Sequence, residues 1–519
     1  MKKYSDFMNE LNNEDIFEGL LGYGLFSEKL PPIFDSVPFY KYCKNFNPKF
    51  ENTPRETNFI RYENMRNINI PRSIGIPNPM NYYQLCFFIK NHWDKLKDFF
   101  EKQTQNQTIK VSRLHIRKMR DTKIVFKMNY KNYKIDGEVE NEDFLIGSKY
   151  IVNVDISTCF PSIYTHSLAW ALAGKEIAKK NRSEEHWFNK LDFHVRNIKN
   201  GETHGILIGP HTSNLLSEIV LVFIDKVLID KGWKYFRNID DYTCYVKNYD
   251  EVQKFLVDIN EALKKFNLIL NHKKTTISVL PIPSTESWIS KLNALSINEK
   301  EYWDYKNTEL LINTAIYALH SNNNNAAILN YMIKIFHKKK LSKNAKKYYV
   351  KKVLHLAVIY PYLIQLIDNY IFEEQELDSN IISRFSNIIY EEGFMSNNYE
   401  SVCYALFFSI KYNFEIKSID FEKIRNSNHA ILNLLGYLYC CNSDMTDNKK
   451  QIKVFKNLAK ELLENKEDFQ ENWVFVYEVL SIGHFNKENS DWKKLKDNKV
   501  SFLNAMLLGV KLKQSKNSV

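Results

Sequence analysis

Two adjacent carboxylates, Asp240 and Asp241, lie in a stretch of aromatic and β-branched residues that runs from 235 to 246. Residues of these types favour strands, so the stretch predicts a hairpin of two short strands with the Asp-Asp pair at its tip. Neighbouring carboxylates repel each other and reduce stability unless a cation lies between them. An Asp-Asp turn on its own, however, is most often a solvated surface turn.

A third carboxylate, Asp155, ends a second predicted strand formed by residues 150–155. Three carboxylates from the ends of two strands are what phosphoryl transfer with two divalent ions, Mg²⁺ or Mn²⁺, requires. One ion activates the attacking hydroxyl, and both stabilise the charge that develops on the phosphorus and the leaving oxygens. Asp155, Asp240 and Asp241 are therefore the candidate metal ligands and catalytic residues.

The segments around these carboxylates follow one another in a fixed order. Asp155 is followed by a glycine-containing segment, residues 205–217, and by an apolar pattern at helical spacing up to residue 227. The Asp-Asp hairpin comes next, and the segment 270–275 follows it. This order resembles motifs A, B, C and D of the reverse-transcriptase-type polymerases.

Three further segments resemble one subgroup of that family, the abortive-infection (Abi) polymerases of bacterial phage defence, of the AbiK kind. They are residues 163–170, 179–182 and 202–206. The motif resemblance covers about the first half of the chain. It implies an α+β fold for residues 1–290, with the fingers and palm of a reverse transcriptase built on an antiparallel sheet with packed helices.

The resemblance also implies roles for single residues. Phe160 stands where the family places an aromatic ring that excludes a ribose 2′-hydroxyl and so selects dNTPs; a core phenylalanine is the alternative. Gly209 would allow the backbone to approach the nucleotide closely. Lys274, or its neighbour Lys273, would lie near the triphosphate, and a solvated lysine is the alternative.

A basic segment before the first carboxylate offers more candidates for nucleotide binding. Residues 113–131 alternate basic and apolar side chains over two short runs, which predicts a hairpin in the fingers. Arg113 and Arg117 would grip an incoming triphosphate there, because phosphate favours bidentate arginine. The alternative is an edge hairpin whose solvated charges guard it against pairing with other chains.

Two positions depart from the family pattern. Asn238 stands where reverse transcriptases usually carry Tyr or Phe in their Tyr-x-Asp-Asp signature, and Ile208 stands where they usually carry Gln. The usual residues help to hold the primer end and the templated base pair. Their replacement argues against ordinary copying of a template, while the three carboxylates are intact.

The character of the chain changes at about residue 290. Glycine and proline become scarce, apolar residues recur at spacings of three and four, and an asparagine-rich turn lies at 321–325. The pattern indicates an α-helical, HEAT-like domain over residues 291–519 in the position of a polymerase thumb, without a clean repeat period. Residues 337–340 and 346–352 mix basic and aromatic side chains, which suits single-stranded nucleic acid; a charged helix face is the alternative.

Composition sets wider limits on the class of protein. The chain has 519 residues, of which 44% are hydrophobic, and this predicts a folded protein. The net charge of +11 suits a polyanionic partner, although 72 basic against 61 acidic residues is also an ordinary surface. Seven scattered cysteines predict free, buried thiols. Without a signal core or a membrane-spanning run, we expect a cytoplasmic protein that does not contact membranes.

Three functions compete. The Abi resemblance implies a metal-dependent DNA polymerase, a nucleotidyltransferase that works without a template and primes from a tyrosine hydroxyl. It also implies a homo-oligomer, dNTP substrates and a single-stranded DNA product attached covalently to the protein. The alternatives are a conventional RNA-directed DNA polymerase and a non-catalytic nucleic-acid-binding scaffold. The intact carboxylates argue against the scaffold, because an unused set of like charges is electrostatically costly.

The sequence does not assign the priming residue. The chain has 31 tyrosines, and the resemblance favours the N-terminal region, where Tyr4, Tyr23, Tyr40 and Tyr42 lie. A phenol has a pKa near 10 in water. Because that pKa lies below that of a sugar hydroxyl, a metal ion would deprotonate a tyrosine readily.

Overall fold

The computed structural model describes residues 3–66, 70–128, 142–181, 183, 185–283, 285–297, 302–337, 339–442 and 448–504. In these ranges the strands form three small sheets. The strands are β1 (Phe59–Met65), β2 (Pro71–Pro77), β3 (Tyr150–Asp155), β4 (Tyr235–Asn238), β5 (Asp241–Val246), β6 (Thr276–Val279), β7 (Tyr302–Trp303) and β8 (Lys340–Leu341).

The central sheet is antiparallel and has the strand order β4-β5-β3-β6. Its strands are rich in aromatic and β-branched residues, which pack well on a half-buried pleated surface. The strand predicted at 150–155 and the hairpin predicted around the Asp-Asp pair are both confirmed. The other antiparallel pair, β1 with β2, is a separate hairpin in the N-terminal part.

Helices surround these sheets in the first half of the chain. A π-helical turn, Glu18–Gly22, continues the second of them. They are α1 (Tyr4–Asn9), α2 (Asn13–Phe17), α3 (Val37–Phe46), α4 (Pro79–Asn91), α5 (Trp93–Thr104), α6 (Glu142–Leu145), α7 (Cys159–Ser162), α8 (His166–Ala173), α9 (Lys175–Lys180), α10 (Trp187–Asn197), α11 (Thr212–Asp230) and α12 (Tyr249–Lys264).

The second half is almost entirely helical, as predicted, and contains a π-helical turn at Asp368–Glu373. Its helices are α13 (Ser287–Ser296), α14 (Tyr305–Ser321), α15 (Ala326–Phe336), α16 (Lys343–Ile359), α17 (Ile364–Ile367), α18 (Ser379–Met395), α19 (Tyr399–Tyr412), α20 (Phe421–Asn426), α21 (Ala430–Asn442), α22 (Asn448–Glu464), α23 (Lys466–Glu471), α24 (Trp473–Val479) and α25 (Ser490–Asp497).

Polar side chains fix where many of these helices begin. Asp304 accepts a hydrogen bond from the Asn307 backbone N–H at 2.9 Å, and Asn398 caps α19 in the same way. Such caps satisfy N–H groups that have no partner inside the helix. Neighbouring helices pack against one another, among them α18 on α19 and α19 on α21. The HEAT-like arrangement of this part stays a prediction.

The C-terminal helices return to the β1–β2 hairpin. Glu400 on α19 accepts hydrogen bonds from the Met65 backbone N–H at 2.6 Å and from Asn64 Nδ2 at 2.8 Å. Gln470 on α23 accepts one from the Asn58 backbone N–H at 2.8 Å. One cluster of buried apolar side chains extends from Tyr4 to residue 503. The core is therefore continuous across the predicted boundary at residue 290.

One predicted element differs in the structure. Residues 113–128 form no strand, and 129–131 lie outside the described residues. The Arg113 backbone N–H instead donates to the Arg237 carbonyl at 2.8 Å, beside β4, and the Arg117 N–H donates to Val125 O at 2.9 Å. The predicted strands are absent from residues 113–128: the start of the segment bonds to β4 instead, and the bond from Arg117 to Val125 joins the two runs without a strand.

The cysteines and the apolar helices are both subjects of expectations from composition. The seven cysteines are free thiols, and all except Cys441 are buried. Among the described helices, not one combines the length and the apolar composition that crossing a bilayer requires.

Candidate active site

The register of the central sheet brings two of the three candidate carboxylates together. In the antiparallel pair of β3 and β5, Asp155 lies directly opposite Asp241. Asp240 occupies the turn before β5, and its carbonyl accepts a hydrogen bond from the Ile156 backbone N–H at 3.2 Å. All three acids therefore lie at one edge of the sheet, where two strands end.

Asp155 is held by two polar side chains from the segment that precedes β6. Lys274 Nζ lies 2.8 Å from Asp155 Oδ2, and Asn271 Nδ2 donates to Oδ1 at 2.9 Å. Burial raises the pKa of Asp155, but these two hydrogen bonds outweigh it and lower the pKa below its usual value. The Lys274 side chain is 63% exposed, so its ammonium can move from Asp155 to another anion without leaving a cavity in the core.

The other two carboxylates have the opposite shift. Burial raises the pKa of Asp240, and the charge of Asp155 adds to the effect. Burial, the charge of Asp240 and a hydrogen bond with Asp155 together raise the pKa of Asp241 to about 7. The predicted repulsion between neighbouring carboxylates is present, and only part of it is offset by Lys274.

These groups suit a divalent cation in their donor chemistry. Carboxylate oxygens are the ligands that Mg²⁺ and Mn²⁺ prefer. Burial, together with neighbouring carboxylates, raises the pKa of Asp240 and of Asp241, so a cation beside them would favour their charged forms. In the part of the chain that the structure describes, however, no three His, Cys, Asp or Glu side chains are gathered closely enough to hold a metal ion. The three acids are therefore neighbours, but their side chains are not arranged as metal ligands in this structure.

Strained backbone lies on both sides of the carboxylates. Thr158, three residues after Asp155, has φ of +43°, and Ile239, just before Asp240, has φ of +59°. β-branched residues rarely adopt this left-handed conformation, and such strain clusters at functional sites.

A family comparison decides what kind of domain carries this site. Residues 94–351 match the family model described as Reverse transcriptase (RNA-dependent DNA polymerase). The chain carries a reverse transcriptase domain. The match includes Asp155, Asp240, Asp241 and Lys274, and it extends beyond residue 290 into α16.

Solved telomerase structures are similar to this chain at low identity. Apo telomerase from Candida tropicalis without its C-terminal domain is 16% identical, with a TM-score of 0.29, and the match covers 45% of this chain. The chain spans about half, 52%, of that structure. Apo telomerase from the same organism is 11% identical, with a TM-score of 0.33, over 85% of this chain and 71% of that one.

A third structure has the same level of similarity. Telomerase from Candida albicans with a TWJ fragment of telomeric RNA is 9% identical, with a TM-score of 0.29, over 84% of this chain and 69% of that one. No curated protein sequence matches the chain. At these TM-scores no property of telomerase is transferred to this protein.

The β1–β2 hairpin, which lies before the matched domain, contributes a cation that the sequence did not mark as a site residue. The charge of Arg72, on β2, opposes the rise that burial causes in the pKa of Asp240. Burial and the charge of Arg66 lower the pKa of Arg72 itself, although the side chain is accessible to water. Accessibility together with desolvation is expected for a side chain on the wall of a cleft. The signal in the sequence is the stretch 72–79, which resembles the first fingers motif of the family.

Arg113 and Arg117 are not placed as predicted. Both are buried, at 8% and 1% exposure. The Arg113 guanidinium lies 3.7 Å from the ring centroid of Phe236, and Arg117 contacts His115 Nδ1 at 2.9 Å and the Arg113 carbonyl. With these surroundings neither guanidinium presents a face to an incoming triphosphate.

The motif B glycine makes its close approach to protein backbone. Gly209 has φ of +129°, and a Cβ there would lie 2.7 Å from Ile74 Cγ2 and 3.0 Å from the Gly75 carbonyl. The Ile208 carbonyl accepts a hydrogen bond from the Gly75 backbone N–H at 2.8 Å. Gly209 and Ile208 therefore join the reverse transcriptase domain to β2.

Phe160 lies on α7, just after the strand that ends in Asp155. Its ring is half-buried against the core, and its carbonyl accepts a hydrogen bond from the Ile206 backbone N–H at 2.9 Å. A cavity of about 320 Å³ lies next to this turn. It is lined by Ser157, Thr158, Ser162, Tyr164, His204, Asn267 and Ile269. The sugar-selecting role of Phe160 stays a prediction.

The four tyrosines considered for priming are poorly suited to easy ionisation. Tyr4, Tyr40 and Tyr42 are buried, and Tyr23 is partly buried. Burial raises the pKa of each phenol, to about 12 for Tyr40. Tyr4 donates to Glu218 Oε2 at 2.7 Å, which holds its hydroxyl inside the protein. The argument from an easily deprotonated phenol does not apply to these residues.

Proposed function

We propose that the protein is a metal-dependent nucleotidyltransferase that polymerises DNA. The observation that carries the proposal is the β3–β5 register, which sets Asp155 opposite Asp241 in a domain matched to reverse transcriptases. Asp155, Asp240 and Asp241 would hold two Mg²⁺ or Mn²⁺ ions. Bound there, the ions would supply activation of the attacking hydroxyl and stabilisation of the charge on the phosphate.

The chain's own cations would bind and orient the nucleotide. Arg72 on the fingers and Lys274 on the palm both act electrostatically on Asp240. Two cations that act on the same carboxylate from different elements suit a triphosphate placed between them. With a metal ion held at Asp155, the exposed Lys274 ammonium would be free to contact the phosphates of the nucleotide. Phe160 would contact the sugar and exclude the 2′-hydroxyl of ribonucleotides.

Replacing both hairpin acids tests this activity. Asp240→Asn with Asp241→Asn removes two negative charges but keeps the size of the side chains. We expect nucleotide incorporation with Mg²⁺ or Mn²⁺ to be abolished while the circular dichroism spectrum is unchanged. Asp230→Asn, an exposed acid paired with Lys226, is the matched control and should keep full incorporation. Metal-dependent incorporation at the wild-type rate in the double variant would remove this site from the mechanism.

The finer proposal is polymerisation without a template, primed by the protein itself, in an Abi-type phage defence. Its support is the pair of departures from the family pattern. Asn238 is exposed at the end of β4, and Ile208 forms part of the contact with β2. Neither side chain can hold a primer end or a base pair as Tyr and Gln do. In this proposal the product is single-stranded DNA attached covalently, and the protein acts as a homo-oligomer.

The helical half would guide the growing strand in a HEAT-like array. Support comes from α16, where Lys343, Lys347 and Lys351 are exposed at intervals of four residues, on one face of the helix. Exposed Tyr302 and Tyr305 lie nearby: Tyr302 pairs with Lys340 across two short strands, and the Tyr305 ring is tilted against the Tyr348 ring, with 4.8 Å between the ring centroids. Lysines beside aromatic rings suit a sequence-independent contact with a single strand.

A labelling experiment separates this proposal from conventional reverse transcription. Nuclease-treated protein is incubated with labelled dNTP and Mg²⁺ or Mn²⁺, without primer or template, and run on a denaturing gel. Label that migrates with the protein and is lost after protease treatment supports protein priming. Label that appears only with an annealed primer–template, with a product that matches the template, supports an RNA- or DNA-copying enzyme.

A further inference from the structure

A buried arginine lies next to the carboxylate hairpin. Arg237, on β4, is 0% exposed, and two acids of α11 enclose its guanidinium. Nη1 donates to Glu218 Oε1 at 2.7 Å, and Nη2 donates to Asp225 Oδ2 at 2.6 Å. Nε also donates to Asp225, at 3.0 Å. Three charges therefore meet in a region without solvent.

The same guanidinium reaches the turn that carries the carboxylates. Arg237 Nη1 donates to the carbonyl of Ile239 at 2.8 Å. Ile239 has the left-handed φ of +59°, which a β-branched residue adopts only when its surroundings enforce it. The next carbonyl, that of Asp240, accepts from the Ile156 N–H. The turn is held at two consecutive carbonyls, immediately before Asp241.

A purely structural ion pair does not account for this arrangement. A guanidinium has five N–H donors in a rigid fork. Bonds to Glu218 and Asp225 already satisfy the charge, and Tyr4 and Tyr235 hydroxyls donate to the same two carboxylates. Arg237 Nη1 additionally donates to the carbonyl of Ile239, the strained residue of the hairpin. Lysine could pair with one acid, but its compact ammonium cannot span both acids and the turn.

We propose that Arg237 is a positioning residue of the candidate metal site: it anchors the strained turn at Ile239 and thereby sets where Asp240 and Asp241 present their carboxylates. The inference rests on the proposed function of those carboxylates as metal ligands. Loss of the anchor lets the turn relax from the left-handed conformation, and the two carboxylates then lose their register with Asp155. Metal binding weakens as a result, whereas dNTP contacts at saturating metal are retained.

Two variants test the anchor. Arg237→Lys keeps the charge and removes the fork. Arg237→Met, combined with Glu218→Gln and Asp225→Asn, removes all three charges together, because deleting the arginine alone would leave two unpaired buried carboxylates. Lys411→Met is the matched control. Lys411 is also a largely buried cation between two acids, Asp368 at 2.6 Å and Glu373 at 2.7 Å, but it lies on α19.

The first readout is Mn²⁺ binding, measured by titration with electron paramagnetic resonance on full-length protein. We expect both Arg237 variants to raise the Kd for Mn²⁺ at least tenfold, and Lys411→Met to leave it within twofold of wild type. In steady-state assays, kcat at limiting metal should fall, and KM for dNTP at saturating metal should stay within about threefold of wild type. Backbone amide hydrogen exchange of a peptide that covers residues 236–242 should become at least tenfold faster.

The outcomes separate this inference from the proposed function. If wild type binds Mn²⁺ and a folded Arg237 variant binds it with the wild-type Kd, the positioning role is wrong. If wild type binds no Mn²⁺, the proposed metal site fails, and hydrogen exchange alone decides whether Arg237 holds the turn. If the triple variant does not fold, Arg237→Lys alone tests the anchor, and wild-type hydrogen exchange in that variant overturns it.

Discussion

Replacing Asp241 should stabilise the protein when no metal is bound. In the folded protein the pKa of Asp241 is raised from 3.8 to about 7, first by burial and then by the charge of Asp240. Between these two values the folded state binds more protons than the unfolded state, so stability falls as the pH rises from about 4 to about 7. Above that pH range Asp241 is charged in both states, and its charge lowers the free energy of unfolding by the full amount. Asp241→Asn removes this charge and should restore the lost stability.

The size of the effect follows from the shift and from the exposure of the side chain. A shift of about three pH units corresponds to an upper limit of about 4 kcal/mol. The carboxyl group of Asp241 is partly desolvated by the surrounding residues, but the residue as a whole is exposed to solvent, which screens the repulsion. We therefore expect about 1–2 kcal/mol at pH 8. In a chain of 519 residues this corresponds to a rise in Tm of roughly 1–2 °C.

The assay is thermal unfolding in EDTA at pH 8 and at pH 5, followed by a titration with Mg²⁺ at pH 8. Asp241→Asn should be more stable than wild type at pH 8, and the difference should shrink at pH 5. Mg²⁺ should then stabilise wild type more than the variant, because it binds only the intact site. Asp230→Asn is the control with the opposite sign: hydrogen bonds from Lys226 and Asn106 lower the pKa of Asp230, so this variant should lose stability at pH 8.

The reasoning would be refuted if Asp241→Asn were less stable than wild type in EDTA at pH 8. That result would mean that Asp241 already has a compensating partner in the folded protein, and that the three acids do not need a cation. Equal stabilisation of wild type and Asp241→Asn by Mg²⁺ would place the metal elsewhere.

Three further outcomes are expected. Phe160→Ala should raise the ratio of ribonucleotide to deoxynucleotide incorporation at least tenfold with little loss of dNTP use; an unchanged ratio would make Phe160 a core residue only. Arg72→Ala should raise KM for dNTP roughly tenfold in steady-state assays, whereas an unchanged KM would mean that the β1–β2 hairpin does not contact the phosphates. Burial raises the pKa of Glu400 to about 7, so wild-type stability in urea unfolding should fall as the pH rises from 5 to 8. Glu400→Gln should flatten that dependence, and an unaltered slope would assign it to other groups.

Local sequence was sufficient for the strands that carry the acids. Runs of aromatic and β-branched residues at 150–155 and 235–246 favour half-buried strands, and the structure contains strands there. The carboxylates lie at the ends of these strands. The role of Lys274 was less defined, because the sequence left a solvated lysine open as an alternative. The structure places its ammonium on Asp155.

Sequence was not sufficient to distinguish a cation that binds substrate from one that serves the core. Arg113, Arg117 and Arg237 are each basic residues near strands, and all three are buried. Arg72 is accessible and acts on Asp240 instead. The difference depends on which acids and carbonyls surround each guanidinium, and those groups come from other elements.

The sequence by itself determined the order of the elements, the strand ends that carry the acids, and the helical character of the second half. Each of these depends on interactions between residues close in the chain, which leave a periodic pattern. Only the tertiary structure decided that Arg237 bonds to the carboxylate turn, and that the C-terminal helices contact the β1–β2 hairpin. The bond from Asn64 to Glu400 joins residues 336 positions apart, and the bond from Asn58 to Gln470 joins residues 412 positions apart. No local pattern specifies such pairs, because they form only when the shared core brings their backbones together.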